Sequence, residues 1–318
     1  MQKTNKKISL AMQMTSDFSC IQCTSSAAVT VWSDCKDYYL QKSCRVSYAR
    51  CVGCGLIQQA PIPKDLAIFY DAYPIHKKKS WPYRLMRSWV MGSCYFNTRR
   101  HITSIKESAL LLDFGCGDGW FLDENQAKNL NLIGFEANPG HATQLSNVLK
   151  IPVYADERAL LRDHEGRVDV VTMHFVLEHL TDINHAFEIV HRLLKPDGIF
   201  YFVIPNIGSW EARVFGKKWH NLDAPRHISF PEAPSIKQLS ERWGFDVVNS
   251  KSASFPNGVA ASLSVVLTGR FRFLIYLLFL PVGILLSRLF PSGNAAYWLR
   301  KTAPLKAVDQ KSQFGYFQ

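Results

Sequence analysis

Glycine recurs at every second position of Asp113-Phe-Gly-Cys-Gly-Asp-Gly119, directly after the apolar run Leu110–Leu112. Glycines at such a turn let the backbone take a positive φ and lie flat against a ligand. The spacing is G-x-G-x-G, not the G-x-G-x-x-G dinucleotide fingerprint, so NAD is the weaker reading. Glu136 follows Gly115 by 21 residues and ends the next apolar run, where a carboxylate can accept from both hydroxyls of a ribose. Asp156 ends a third run and can accept from an adenine amino group. Asp113, ahead of the glycines, can face an ammonium or fix the loop. These residues suit a ligand with adenosine at one end, a charged amino acid at the other and no pyrophosphate.

A second set is made of cysteines. Cys20-Ile-Gln-Cys23 and Cys51-Val-Gly-Cys54 are two C-x-x-C knuckles with 27 residues between them. Two intervening residues let both thiolates of a knuckle reach one tetrahedral ion, and Gly55 after the second permits a positive φ. Such a pair reads as structural zinc held by Cys20, Cys23, Cys51 and Cys54. A four-cysteine site is closed, so its role is in folding, not catalysis. Cys35 and Cys44 fall between the knuckles, and either could replace a knuckle ligand.

A third set offers proton transfer. Glu178-His179 closes His174-Phe-Val-Leu-Glu-His, and His227 closes Trp219-His-Asn-Leu-Asp-Ala-Pro-Arg-His. Glu178 and His179 suit a general base, a divalent-metal pair, or a helix start whose positive end favours a carboxylate. Histidine is the favoured base near neutral pH, which makes His227 the candidate base or substrate ligand. Arg226 beside it is the candidate for an anionic group.

The elements that must position these groups alternate along the chain. Strands are expected at Leu110–Phe114, Leu132–Glu136, Val153–Ala155, Val168–Met173 and Ile199–Ile204. Helices are expected near Trp120–Asn129, up to about Leu149, and at Ile183–Leu194, the last closed by a turn at Lys195-Pro-Asp-Gly198. This alternation predicts a parallel, doubly wound sheet that binds ligands beyond the carboxyl ends of its strands. Asp113, Glu136, Asp156 and His174 all fall at such ends. A small hairpin (Val29–Trp32 with Val46–Arg50) and a packing helix at about Tyr83–Lys106 precede the sheet. A helix at Pro231–Trp243 and strands at Phe245–Val248 and Ala295–Leu299 follow it.

S-adenosylmethionine fits the ligand outlined above. LLDFGCGDG, GFEANP, the Asp156 turn, VDVVTMHFVLEHLTD and LLKPDGIFYFVIPN, in that order over about residues 108–250, resemble the class I S-adenosylmethionine-dependent methyltransferases. The LEH segment resembles the ubiquinone-biosynthesis O-methyltransferases. The knuckles together with Asn221-Leu-Asp-Ala-Pro-Arg-His227 resemble bacterial zinc-binding methyltransferases of cell-surface polysaccharide and sugar pathways. The resemblance implies an α/β fold with a doubly wound, Rossmann-like, seven-stranded sheet. To this are added a small zinc-ribbon-like N-terminal module and an apolar C-terminal excursion. The chain then divides into a zinc-ribbon-like module (1–62), a linker and packing helix (63–107), a cofactor-binding core (108–252), and the excursion with the last strand and tail (253–318).

The implied cofactor-binding set is Asp113, Phe114, Gly115, Gly117, Gly119, Glu136, Ala137, Asp156, Glu157, His174 and Phe175. Glu136 is on the ribose, Asp156 on the adenine, and His174–Phe175 flank the base. His227, His179 and Glu178 are the catalytic candidates. Methylation is a displacement at carbon, so the protein supplies alignment, plus a base when the nucleophile is a hydroxyl or carbon acid. DNA and RNA amino-methyltransferases carry Asn/Asp-Pro-Pro-aromatic after the fourth strand. Here that place reads His174-Phe-Val-Leu, which disfavours exocyclic-amine methylation and makes nucleic acid the weaker partner. The expected acceptor is a small molecule, a sugar or a lipid-linked compound, methylated on oxygen or carbon. The alternatives are a zinc-ribbon rRNA methyltransferase and a non-catalytic cofactor-binding module.

Charge is unevenly spread. Residues 1–107 carry 16 Lys and Arg against 6 Asp and Glu, residues 108–207 carry 7 against 14, and residues 208–318 carry 14 against 6. Basic flanks suit phosphate on a nucleic acid, an anionic membrane or a nucleotide-linked substrate. The apolar run Ile8–Met12 is too short for a signal-peptide core, so the chain is expected in the cytoplasm. Disulfides are rare there, which leaves its eight cysteines to thiol or metal chemistry. Phe273–Ser287 holds fifteen residues without a charge and includes Pro281 and Gly283, fewer than the roughly 20 needed to span a bilayer. If the strands before and after it share one sheet, it must return to the same side. That leaves a shallow re-entrant hairpin or a buried helical subdomain. Peripheral or monotopic contact with the inner face of the cytoplasmic membrane through residues 270–290 is expected, with Arg270, Arg272 and Arg288 snorkelling at its rim. Lys77–Lys79 beside Trp81, Tyr83 and Trp89 is a second candidate surface.

Overall fold

The computed structural model describes residues 18–70, 108–126, 129–253, 255–290 and 292–302. The helix expected at Tyr83–Lys106 and the Lys77–Lys79 run with its aromatic neighbours lie outside the described residues.

The amino-terminal strands are short and partly buried. β1 (Ala28–Lys36) and β2 (Arg45–Cys51) form the expected antiparallel hairpin, and β3 (Ile57–Gln59) adds to the free edge of β2. The chain then builds the second sheet. β4 (Leu110–Phe114) leads into α1 (Trp120–Asn125), and β5 (Asn131–Phe135) into α2 (Pro139–Leu149). β6 (Val153–Tyr154) leads into α3 (Glu157–His164), and β7 (Val168–His174) precedes α4 (Ile183–Leu193) and β8 (Leu194–Pro205). Next come α5 (Trp210–Phe215), β9 (Ser229–Phe230), α6 (Ala233–Arg242) and β10 (Phe245–Ala253). α7 (Pro256–Thr268), α8 (Phe273–Leu289) and β11 (Asn294–Lys301) complete the described chain.

The seven-stranded sheet has the order β10-β11-β8-β7-β4-β5-β6, as the resemblance implied. β6, β5, β4, β7 and β8 run parallel, and β11 is antiparallel to both of its neighbours. Parallel strands are covered on both faces, which is why β4 reads as an apolar run without alternation. One face packs Leu112, Phe114 and Val171 against Phe187 and Val190 of α4, and the amino-terminal knuckles join this core through Cys20 and Cys51. The other face packs Leu111 and Val170 against Phe121 and Leu122 of α1 and Leu145 of α2.

Helix starts are fixed by side chains at the strand ends. Asn138 accepts from His141 N, Asp156 from Arg158 N and Ala159 N, Asp182 from His185 N, and Ser209 from Ala212 N. Each satisfies backbone donors that the first helical turn leaves without partners. These caps set where each helix leaves the ligand-facing edge of the sheet.

One expectation is corrected. Lys195-Pro-Asp-Gly198 turns as expected, but it does so inside β8, as a bulge in one strand, and not ahead of the strand. Leu194 already pairs with Val168, and the register shifts so that Ile199 pairs with Val170. Asp197 takes φ +61° to absorb the extra residues. The two sheets are joined by the chain, since β9 pairs with β3 and the amino-terminal sheet takes its fourth strand from Ser229–Phe230.

The apolar excursion is a helical hairpin that leaves β10 and returns as β11 beside it in the same sheet. Among the described residues no helix is long and apolar enough to cross a membrane. Tyr276, Leu280, Gly283 and Ser287 form the buried face of α8, at the i, i+4, i+7, i+11 spacing of one helical stripe. A Cβ at Gly283 would lie 2.2 Å from the carbonyl oxygen of Pro256, so the two helices touch backbone to backbone there. Gly283→Ala should separate them at a cost of about 1–3 kcal/mol, the usual range for overpacking. A thermal melt would show the loss, and an unchanged midpoint would contradict this contact.

Candidate functional site

The glycine loop leaves β4 at the carboxyl edge of the sheet, and its three glycines do different things. Gly115 (φ +75°) donates its N–H to Phe135 O, and a Cβ there would lie 2.7 Å from Val176. Gly119 (φ +72°) starts α1, and a Cβ there would strike Leu149 of α2 at 2.8 Å. Both are demanded by packing within the protein. Gly117 (φ +55°) differs, because a Cβ on it would meet nothing nearer than Gly115 O at 4.0 Å. Its N–H is held by Glu136 Oε2 at 3.1 Å, and Glu136 Oε1 accepts from Asn138 N at 3.2 Å. His141 Nε2 donates to Gly117 O at 2.7 Å.

The remaining cofactor candidates surround this loop. Asp113 is buried and accepts from Thr172 Oγ1 at 2.8 Å, with His174 Nδ1 at 3.2 Å. His174 lies between Phe121 and Tyr201, at ring separations of 4.4 and 5.7 Å. Phe175 takes φ +58°, strained for a residue with a Cβ, and its ring packs on Phe255 at 5.3 Å. Ala137 is exposed beside Glu136. Phe114 is buried and stacks on Phe135 at 4.4 Å, so its ring belongs to the core beneath the loop. Asp156 is exposed while capping α3, and Glu157 Oε2 pairs with His185 Nε2 at 2.8 Å. That hydrogen bond raises the His185 pKa despite partial burial.

The proton-transfer candidates come together although His227 lies 48 residues after His179 in sequence. One ligating atom from each of Glu178, His179 and His227 lies within 4.8 Å of the others, an arrangement that could hold a metal ion. Glu178 is completely buried and neither carboxylate oxygen has a hydrogen-bond partner. Burial pushes its carboxyl up to about 8, helped by the nearby negative charge of Asp223. Burial, with the neighbouring His179, pushes His227 down to about 3, and burial lowers His179 as well. His227 Nδ1 donates to Asn221 O at 2.8 Å, and His179 Nδ1 lies 3.0 Å from Arg226 O. A carbonyl only accepts, so His227 Nδ1 carries the proton and its Nε2 presents a lone pair, whereas His179 Nδ1 also lies 3.0 Å from the hydroxyl of Tyr70, which can donate to it or accept from it. At neutral pH the cluster is therefore an uncharged acid beside two neutral imidazoles. His179 is half-buried and is the member nearest solvent among the described residues.

Arg226 does not bind an external anion. It has no exposed surface, and its donors reach Asp37 Oδ1 and Oδ2 at 2.9 Å each and Asp223 Oδ1 and Oδ2 at 2.6 and 3.0 Å. Both carboxylates are buried, which leaves the guanidinium committed to them. The loop is also clamped from the amino-terminal sheet. Tyr48 Oη donates to His227 O at 2.8 Å, and Gln59 Nε2 donates to Pro225 O at 2.7 Å and His227 O at 2.9 Å.

The knuckle cysteines converge as the spacing predicts. The Sγ atoms of Cys20, Cys23, Cys51 and Cys54 lie within 4.8 Å of one another and could hold a metal ion. Cys35 is buried among Val46, Tyr48 and Trp219, with Cys44 packed against the same cluster, so neither replaces a knuckle ligand. Gly55 turns the second knuckle at φ +80°, and Thr24 makes the corresponding turn at +60°.

A family model described as a methyltransferase domain matches residues 89–250, just over half of the chain. The chain belongs to the methyltransferase domain family. The human protein "Arginine-hydroxylase NDUFAF5, mitochondrial" is 37% identical over 97 residues, which are 29% of this chain and 27% of that one. "Ubiquinone biosynthesis O-methyltransferase" of Pectobacterium carotovorum subsp. carotovorum is 28% identical over 124 residues, 36% of this chain and 52% of that one. The chain thus spans no more than about half the length of these curated relatives. A solved S-adenosylmethionine-dependent methyltransferase from Archaeoglobus fulgidus is similar over 69% of this chain and 99% of its own, at 19% identity and a TM-score of 0.46.

The residues present fit the S-adenosylmethionine that the resemblance implies, on one structural observation. Gly117 is the loop position where a side chain would enter open space, directly beside the carboxylate of Glu136. His141, Asp37, Tyr48 and Gln59, which brace the loop and the cluster, carry no spacing signal in the sequence. His141 sits three residues after a helix cap, and the others lie more than 160 residues from the loop they hold. Gly117→Val should weaken S-adenosylmethionine binding by roughly tenfold or more in calorimetry, because its methyl groups occupy the cradle. Affinity equal to that of the parent would remove Gly117 from the cofactor site.

Proposed function

We propose that this methyltransferase transfers a methyl group from S-adenosylmethionine to a hydroxyl or carbon acid of a small-molecule, sugar or lipid-linked acceptor. The Glu178–His179–His227 cluster receives the acceptor's proton. The observation that supports this is the completely buried Glu178 carboxyl, without a hydrogen-bond partner and set between two neutral imidazoles. S-adenosylmethionine, when bound, supplies an electrophilic methyl group on a sulfonium. The chain's own residues do the rest. Gly117 and Glu136 seat the nucleoside end, while Asp113 keeps its carboxylate beside His174 at the strand ends. His179 faces the acceptor side and passes the proton to the Glu178 carboxylate, which is the accepting base once it is ionised above about 8.

The name of the Pectobacterium relative supports a hydroxyl acceptor. rRNA is the competing acceptor class, and methyl transfer to rRNA against nucleotide sugars separates the two. A protein that binds the cofactor but methylates neither would be a cofactor-binding module. Glu178→Gln copies the neutral acid and should preserve folding and cofactor binding. It should lower turnover by about 10²–10⁴-fold, the range for lost general-base catalysis. The sign of the pH effect follows from the raised pKa. Below about 8 the carboxyl is neutral and cannot accept a proton, so turnover should rise with pH through about 8 and then level. The variant should lose that limb, and a parent profile flat through this range would contradict the assignment.

A second reading is favoured by the imidazole geometry. Metal-bound histidines commonly donate one ring N–H to a carbonyl and offer the other nitrogen to the ion, as His227 is placed to do. A divalent cation there would replace the carboxyl proton of Glu178, and turnover would then depend on added cation.

We further propose that the four knuckle thiolates hold structural zinc, on the strength of a closed four-cysteine set at the base of the amino-terminal sheet. Purified protein should contain about one zinc per chain by elemental mass spectrometry. Cys54→Ser should lower both the zinc content and the melting temperature. Full stability without any metal would exclude a structural ion.

A further inference from the structure

Among the described residues, nothing packs on half of α8. Its inner stripe sits on α7, but Phe273, Leu274, Leu278, Val282, Leu285 and Leu289 face outward, and Leu274 is 78% exposed. Positions 274, 278, 282, 285 and 289 follow the helical repeat, so they form one continuous apolar stripe about 22 Å long. Contiguous apolar surface of this kind marks a docking site, since single exposed leucines are ordinary but a full helix face is not. The helix is apolar on both faces, unlike a helix that borders a soluble core on one side and water on the other.

The charge around the stripe identifies what covers it. From Val247 to Thr302 the chain has no aspartate or glutamate, while Lys251, Arg270, Arg272, Arg288, Arg300 and Lys301 are basic. Arg270 and Arg272 stand at the turn between the helices and Arg288 at the far end of α8, so the stripe is bracketed by cations. Beside the turn, Lys36, Lys217 and Lys218 rim a small cavity that Val265 and Phe271 of the hairpin help to line. A second copy of this face would bring like charges together at both ends of the stripe. An anionic bilayer would instead receive the leucines among its acyl chains and the arginines among its phosphates.

We propose that the α7–α8 hairpin lies in the plane of an anionic membrane surface, with the outer stripe of α8 immersed and Arg270, Arg272 and Arg288 at the headgroups. The hairpin does not span the bilayer. β10 and β11 are neighbours in one sheet, so the excursion must leave and return on the same side. This inference is independent of which acceptor the methyltransferase uses.

Sedimentation of the full chain with vesicles tests it. Vesicles of phosphatidylcholine containing phosphatidylglycerol should bind the protein roughly tenfold or more better than phosphatidylcholine alone, and high salt should weaken the difference. Leu274→Ser with Leu278→Ser should abolish sedimentation with the vesicles. Arg270→Glu with Arg272→Glu should abolish the preference for anionic lipid. Both double variants should keep the parent's circular dichroism and its affinity for S-adenosylmethionine, which shows that the fold is intact. Failure to sediment with either vesicle would overturn the proposal. So would binding unaffected by the leucine changes, or a lipid-free dimer that those changes dissolve while vesicles bind nothing.

Discussion

A guanidinium with no exposed surface must be neutralised where it stands. Arg226 is neutralised by Asp37, from the hairpin near the start of the chain, and by Asp223 of its own loop. Removing one partner of such a buried set typically costs about 3–5 kcal/mol, because a desolvated charge is left behind. The arrangement therefore admits one loop conformation. Burial pulls the Asp223 carboxyl upward, but the hydrogen bonds and charge of Arg226 outweigh it and hold the acid ionised. With Arg226 fixed, its carbonyl meets His179, and the next carbonyl, that of His227, receives Tyr48 and Gln59. The amino-terminal sheet and the histidine cluster are thus one mechanical unit, joined through the backbone of three consecutive residues.

This unit stands beside, not within, the glycine cradle. The two meet along the segment that runs from β7 through His174 and Phe175 to Glu178. Glu178 offers its side chain to the cluster and its carbonyl to Ile228 N, at 2.6 Å, so the same residue fixes loop and acid together. Phe175 carries the strain of the sharp exit from the strand, at a point where a relaxed backbone would aim the following residues elsewhere.

The parallel strands were legible because burial on both faces leaves uninterrupted apolar runs, and their polar ends stand out against them. The cysteine knuckles were legible because one tetrahedral ion imposes a short, fixed spacing. Four features were not. β3 and β9 have three and two residues, too few for any periodicity, although their pairing joins the two sheets. Lys195-Pro-Asp-Gly198 has the composition of a turn, and only the register against β7 makes it a bulge. α7 is rich in Ala, Ser and Gly because it packs backbone to backbone, which removes the large residues that make a helix visible. Arg226 reads as an anion ligand beside its histidine. Its partner Asp37 lies 189 residues away, beyond the reach of any local pattern.

The pairing of β3 with β9 also sets an order of events at the ribosome. Ile57 must wait for Phe230, 173 residues later in the chain. At roughly 5–20 residues per second, that is about 10–35 s of synthesis with one edge of the amino-terminal hairpin uncovered. The knuckles are complete once Cys54 has emerged, long before the strand that finishes their sheet. A metal captured at that stage would hold a small nucleus ready, and the last strand would arrive at an edge already in register. For a fold dominated by pairings between distant residues, such early fixation shortens the interval in which an open strand edge can find the wrong partner.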